Sequence, residues 1–172
     1  PVRLAQMREH RLSVATTWRD FTQAIRDMPQ PMRRLALAMF CQWFGMFCYW
    51  QYAALSLARA LYGNGSAAAV RDATLVNGHL GGFYNAIAFV AALALMPITR
   101  RLGAGPVHAA CMVAAGAAML VLPTMGSEAW CYLPMLGIGI GWASLMGTPY
   151  VMLADCIPAE RTGSYMGIFN MF

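Results

Sequence analysis

Residues 129–154 read AWCYLPMLGIGIGWASLMGTPYVMLA, with no charged side chain between Glu128 and Asp155. A helix rises about 1.5 Å per residue, so about 20 apolar residues cross a hydrocarbon core of about 30 Å. This run is long enough, and three more uncharged runs precede it, at 35–58, 73–99 and 102–127. Four such runs in succession have no soluble reading. The expected fold class is therefore all-α: a polytopic transmembrane helix bundle. Its spans fall at about 35–57, 76–97, 106–122 and 129–154, and a further span starts at 164–172. Residues 1–34 read as a cytoplasmic linker that carries an amphipathic helix.

Composition agrees. Hydrophobic residues make up 59% of the chain and charged residues 11%, well under the roughly 25% of soluble domains. The net charge of +5 does not indicate nucleic acid, because seven of the twelve basic residues (Arg3, Arg8, Arg11, Arg19, Arg26, Arg33 and Arg34) precede the first span. A basic flank beside a span is a topology signal and an anionic-lipid contact. With the N-terminus inside, only Arg59 and Arg71 lie outside, which predicts a cytoplasmic N-terminus. Cys41, Cys48, Cys111, Cys131 and Cys156 form no C-x-x-C pair and read as small buried hydrophobes. Neither a metal site nor a cofactor is expected. The chain opens at Pro1 and stops at Phe172 within an apolar run, and so reads as an internal piece of a longer polypeptide.

Before the first span, Val14, Trp18, Phe21, Ile25 and Met28 recur at helical spacing, and Met28-Pro29-Gln30-Pro31 breaks that helix. Such a stripe fits a membrane surface, the inner face of the bundle, or a soluble partner helix. Connections as short as 123–128 imply antiparallel neighbours.

Residues three or four apart share a helix face, which gives each span a lining. Gln42, Gly45, Tyr49 and Tyr52 fall together in the first span, with Trp43 and Trp50 on an adjacent face. Gly78, Gly82 and Asn85 align in the second, and Gly137, Gly141, Ser144 and Thr148 in the fourth. The third has no comparable stripe, and its His108 reads as structural, as does His79. Three spans bordering a wet cavity, with one supporting them from outside, would produce this asymmetry. The bland readings stand beside it. The glycine pairs also suit close helix packing. Asn85 suits an interhelical hydrogen bond, and the tryptophans suit packing or lipid as well as a sugar-stacking platform. Gly147-Thr148-Pro149-Tyr150 is expected to interrupt the fourth helix, as a kink or a hinge. No span holds an acidic residue or an arginine, and clustered nucleophiles are missing, so catalysis is not expected.

Residues 142–154 (WASLMGTPYVMLA), the following Ile157-Pro158-Ala159-Glu160-Arg161 and Gly163-Ser164-Tyr165-Met166-Gly167-Ile168-Phe169-Asn170 resemble a known pattern. It is the tenth helix, loop and start of the eleventh in major facilitator sugar transporters, closest to the sucrose and maltose proton symporters and their bacterial kin. Met28-Pro29-x-x-Met32-Arg33-Arg34-Leu35, leading to Gln42-Trp43-Phe44, is similar to the approach to that group's seventh helix. Residues 97–103 weakly echo the superfamily's arginine-bearing loop between helices eight and nine.

The resemblance implies part of a twelve-helix fold whose N-terminal half lies outside this chain. It also implies residence in a bacterial inner membrane and secondary transport of a small sugar, a disaccharide in that family, by proton symport. Gln42, Trp43, Tyr49, Asn85, Ser144 and Thr148 are the candidate substrate-binding residues. The rival expectations are a major facilitator carrier of another solute and a membrane sensor that does not transport. No residue here is assigned to proton coupling.

Overall fold

In the computed structural model, residues 18, 19, 22, 23, 25–157 and 162–171 are described. Much of the expected amphipathic helix at 14–28 lies outside them. Of that segment, Trp18, Arg19, Thr22, Gln23, Ile25 and Arg26 are helical, and the chain turns at Asp27 just before the proline pair.

Five helices follow: α1 (Gln30–Tyr62), α2 (Ala67–Leu102), α3 (Ala104–Val121), α4 (Glu128–Ala154) and α5 (Thr162–Phe169). A 3-10 turn at Leu122–Thr124 leads out of α3. The first two helices overrun their uncharged stretches. Pro31 sits in the first turn of α1, where its missing N–H costs nothing, so the helix begins upstream of Leu35. With 36 residues, α2 is about 54 Å long and projects beyond any bilayer core.

The turns use local chemistry. Gly63 takes the left-handed conformation (φ 70°) and its N–H closes on the Arg59 carbonyl at 3.1 Å, ending α1. Ser66 caps α2 by accepting from the Ala69 N–H at 3.3 Å. Gly103, at φ 88°, makes the one-residue joint between α2 and α3. The expected interruption at Gly147–Tyr150 does not occur. The fourth helix runs unbroken through Pro134 and Pro149 to Ala154, because proline removes only one hydrogen bond and the surrounding helices hold the rest.

Packing centres on α4, which lies between α2 and α3. Its alternating glycines make this possible. A side-chain carbon at Gly139 would stand 2.7 Å from the Tyr84 carbonyl oxygen of α2. One at Gly137 would stand 2.8 Å from the Ala114 carbonyl oxygen of α3, and one at Gly141 would run into Ala115. Gly137 and Gly141 are therefore a packing pair. Gly78 and Gly82 are not within this chain: neither would meet an atom within 4 Å.

Two apolar clusters hold the ends. Leu57, Val76, Leu80, Tyr84, Met135 and Ile138 join α1, α2 and α4 at one end. Met32, Met39, Leu145, Leu153, Tyr165 and Phe169 join α1, α4 and α5 at the other. Burial at about 25 cal/mol per Å² stabilises both only where the exposed alternative is water, so in a bilayer close packing carries more of the weight.

Candidate functional site

The described helices place four polar side chains in one line, three of them buried and Gln42 half-buried. Gln42 of α1 has its amide nitrogen 2.9 Å from His108 Nε2 on α3. The other ring nitrogen, Nδ1, is 2.9 Å from Ser144 Oγ on α4, and Ser144 Oγ is 3.1 Å from Thr148 Oγ1 one turn along. His108, Ser144 and Thr148 are all buried, at 5%, 0% and 6% exposure. Leaving such a group unpaired in an apolar interior costs about 1–3 kcal/mol, and this is what ties the three helices together. One atom remains unsatisfied. Gln42 Oε1 is buried and has no hydrogen-bond partner.

The line runs between two cavities. Gln42 lines one of about 160 Å³ between α1, α3 and α4, together with Gly45, Met112, Met119, Trp142 and Leu145. Thr148 lines another of about 200 Å³ between α2 and α4, with Ala92, Leu95, Thr99, Ala143 and Gly147. A third space of about 340 Å³ lies at the far end of α1, beside Tyr52, Ser56, Arg59 and Pro123. The first two fall short of the 300–1,000 Å³ typical of small-molecule sites.

Of the six residues selected from sequence, Gln42, Ser144 and Thr148 come together. Trp43 lies close by, on α1 beside Trp142 of α4. Trp43, Trp50 and Trp142 pack edge to face on one another, with centroids 6.0 Å apart for Trp43–Trp142 and 5.5 Å for Trp50–Trp142. That is a mutually packed cluster, not a flat platform. Tyr49 points the other way: its ring meets Tyr84 edge-on at 6.5 Å, and its hydroxyl approaches the Met135 sulfur at 3.9 Å. Asn85 stands apart. It is exposed on α2 and donates to the Gly81 carbonyl of its own helix at 2.8 Å.

Two residues were missed. His108, expected to be merely structural on a supporting helix, is the centre of the polar line, and α3 thereby contributes to the interior. Its partners are 66 and 36 residues away in sequence, so no single-helix periodicity reveals them. The available signal was a lone histidine on an otherwise apolar helix, which requires a partner. Trp142 was overlooked because it lies off the stripe of Gly137, Gly141, Ser144 and Thr148.

Among the described residues three helices, Ala67–Leu102, Ala104–Thr124 and Glu128–Ala154, are long and apolar enough to cross a membrane. The first helix has the length, but its glutamines, tyrosines and tryptophans lower its mean hydropathy. An all-helical bundle of this kind, with an uncharged polar line inside it, is an integral membrane protein. Residues 3–172 match the family described as the Major Facilitator Superfamily, so the chain belongs to that superfamily, whose members are secondary transporters of small molecules. No curated protein and no solved structure matches it.

Proposed function

We propose that the chain is part of a secondary transporter that carries a small neutral sugar, a disaccharide by preference, in symport with protons. The observation that carries this reading is the character of the interior polar groups. Among the described residues they are an amide, an imidazole and two hydroxyls, with no carboxylate or guanidinium among them. Hydroxyl and amide groups complement the hydroxyls of a neutral sugar, whereas an organic anion would call for a buried cation. The resemblance of residues 142–170 to sugar symporters supports the same class.

The cavities of about 160 and 200 Å³ are too small for a disaccharide. In this reading the site is completed by a second six-helix half, and alternating access rocks the two halves against each other. The exposed face of α2 bearing Gly78, Gly82 and Asn85 then borders the cavity. The arginines before α1, together with Arg100 and Arg101, mark the cytoplasmic side of a bacterial inner membrane.

Binding tests this directly. Purified protein titrated with sucrose or maltose should show saturable quenching of tryptophan fluorescence through the Trp43–Trp142 cluster. Asn85→Ala should weaken binding and lower uptake without lowering membrane abundance. Unchanged uptake in that variant would remove Asn85 from the site, and no response to any sugar would favour a carrier of another solute.

A further inference from the structure

We propose that His108 takes up the coupling proton, with Gln42 as the side chain that registers it. This rests on the proton-symport reading for its purpose, and on the geometry of the polar line for its chemistry.

A neutral imidazole carries one donor and one acceptor nitrogen. The amide nitrogen of Gln42, itself a donor, faces His108 Nε2 at 2.9 Å, so Nε2 is the acceptor. The ring proton then sits on Nδ1 and is donated to Ser144 Oγ, which shares a 3.1 Å hydroxyl contact with Thr148 Oγ1. The direction of both imidazole bonds follows from that first contact.

Protonation changes one end only. A hydronium ion arriving from the cavity that Gln42 lines gives up one O–H proton to Nε2 and leaves as water, so one N–H bond forms, one O–H bond breaks and the positive charge stays on the ring. Two donors now face each other at that contact. Rotation of the Gln42 amide by half a turn replaces its nitrogen with Oε1, the buried atom that has no partner in the neutral state. The imidazolium then donates to Gln42 Oε1 and to Ser144 Oγ, while the Ser144–Thr148 bond is undisturbed. The idle acceptor is what makes this line able to hold a proton rather than merely tolerate a histidine.

The surroundings leave this charge to the ring alone. The first helix presents uncharged Gln42 and the fourth presents Ser144 and Thr148; the thiol of Cys111 lies one turn along α3. Cys41, also on the wall of the Gln42 cavity, is exposed, and Arg100 and Arg101 at the end of α2 are exposed as well. Among the described residues no carboxylate pairs with His108. An ionisable group inside a membrane bundle, hydrogen-bonded on both sides and separated from a cavity by the Gln42 side chain, is where a proton pathway is expected. Gln42 moves with that proton, so the wall of α1 toward α3 and α4 changes with protonation state.

The test uses the full-length protein in lipid, with His10, His79 and every histidine outside this chain replaced by Gln, and with the ring signal assigned to His108 by its loss in His108→Gln. Ring-nitrogen NMR should show the Nδ1–H tautomer at high pH and an imidazolium appearing as pH falls from 9 to 5. Gln42→Leu removes the idle acceptor and should lower the midpoint by at least one pH unit, a tenfold loss of proton affinity. A ring that stays neutral throughout, or a midpoint unmoved by Gln42→Leu, overturns the assignment. In liposomes holding a pH-sensitive dye, sucrose or maltose should drive proton entry in the wild type. His108→Gln should abolish that entry while sugar counterflow persists. Undiminished proton entry in His108→Gln refutes the role of His108 alone. Sugar uptake without proton entry in the wild type refutes the symport reading itself.

Discussion

Replacing Gly139 with alanine should loosen the bundle, although alanine is the better helix former. The added carbon would stand 2.7 Å from the Tyr84 carbonyl oxygen and 2.8 Å from two carbons of Ile87. Reaching an ordinary contact of about 3.4 Å requires α2 and α4 to separate by about 0.7 Å, and the first obstacle is backbone that cannot rotate away. Overpacking of this kind costs about 1–3 kcal/mol. The opposing helix-propensity gain of Gly→Ala is about 1 kcal/mol. A matched control isolates the clash: Gly82→Ala sits on the same pair of helices, with nothing within 4 Å of the new carbon. Thermal unfolding in detergent, followed by tryptophan fluorescence, should show Gly139→Ala below Gly82→Ala by several degrees, at about 2–4 °C per kcal/mol. Equal midpoints would refute the claim that α4 is clamped between its neighbours through glycine.

Three further outcomes follow from named contacts. Ser144→Ala strands the His108 Nδ1 donor and should destabilise by about 1–3 kcal/mol, whereas Thr148→Val, at the end of the line, should cost about 0.5–1.5 kcal/mol in the same unfolding assay. In mild detergent, a maleimide should label exposed Cys41 well before buried Cys111 and Cys131; equal rates would contradict the packing of α3 on α4. Cys156 follows α4 in the turn, where burial first, and then the neighbouring Asp155, push its thiol above the ordinary range. The thiolate is the reactive form, so labelling of Cys156 should stay slow at neutral pH and rise only at higher pH than for a free cysteine. Asp155→Asn should bring that rise to lower pH.

The fold was legible because spans announce themselves: runs such as 129–154 admit one physical reading. Helix ends were less so, since the overruns into Gln30 and Leu102 depend on a proline in a first turn and on a one-residue glycine joint. The prediction that Pro149 interrupts the fourth helix failed because local propensity was read without the packing that preserves α4. Part of the site was visible as the Gln42 and Ser144–Thr148 faces. Its centre was not, because His108 acquires meaning only when α1 and α4 close around α3. Asn85 shows the converse: it shares a sequence stripe with two glycines, yet the chain satisfies it within its own helix.

The most direct test of the central reading is flux. The intact protein in liposomes should take up labelled sucrose or maltose under an inward proton gradient and stop when the gradient is collapsed. Protein shown to be folded that accumulates no sugar under any gradient would contradict it.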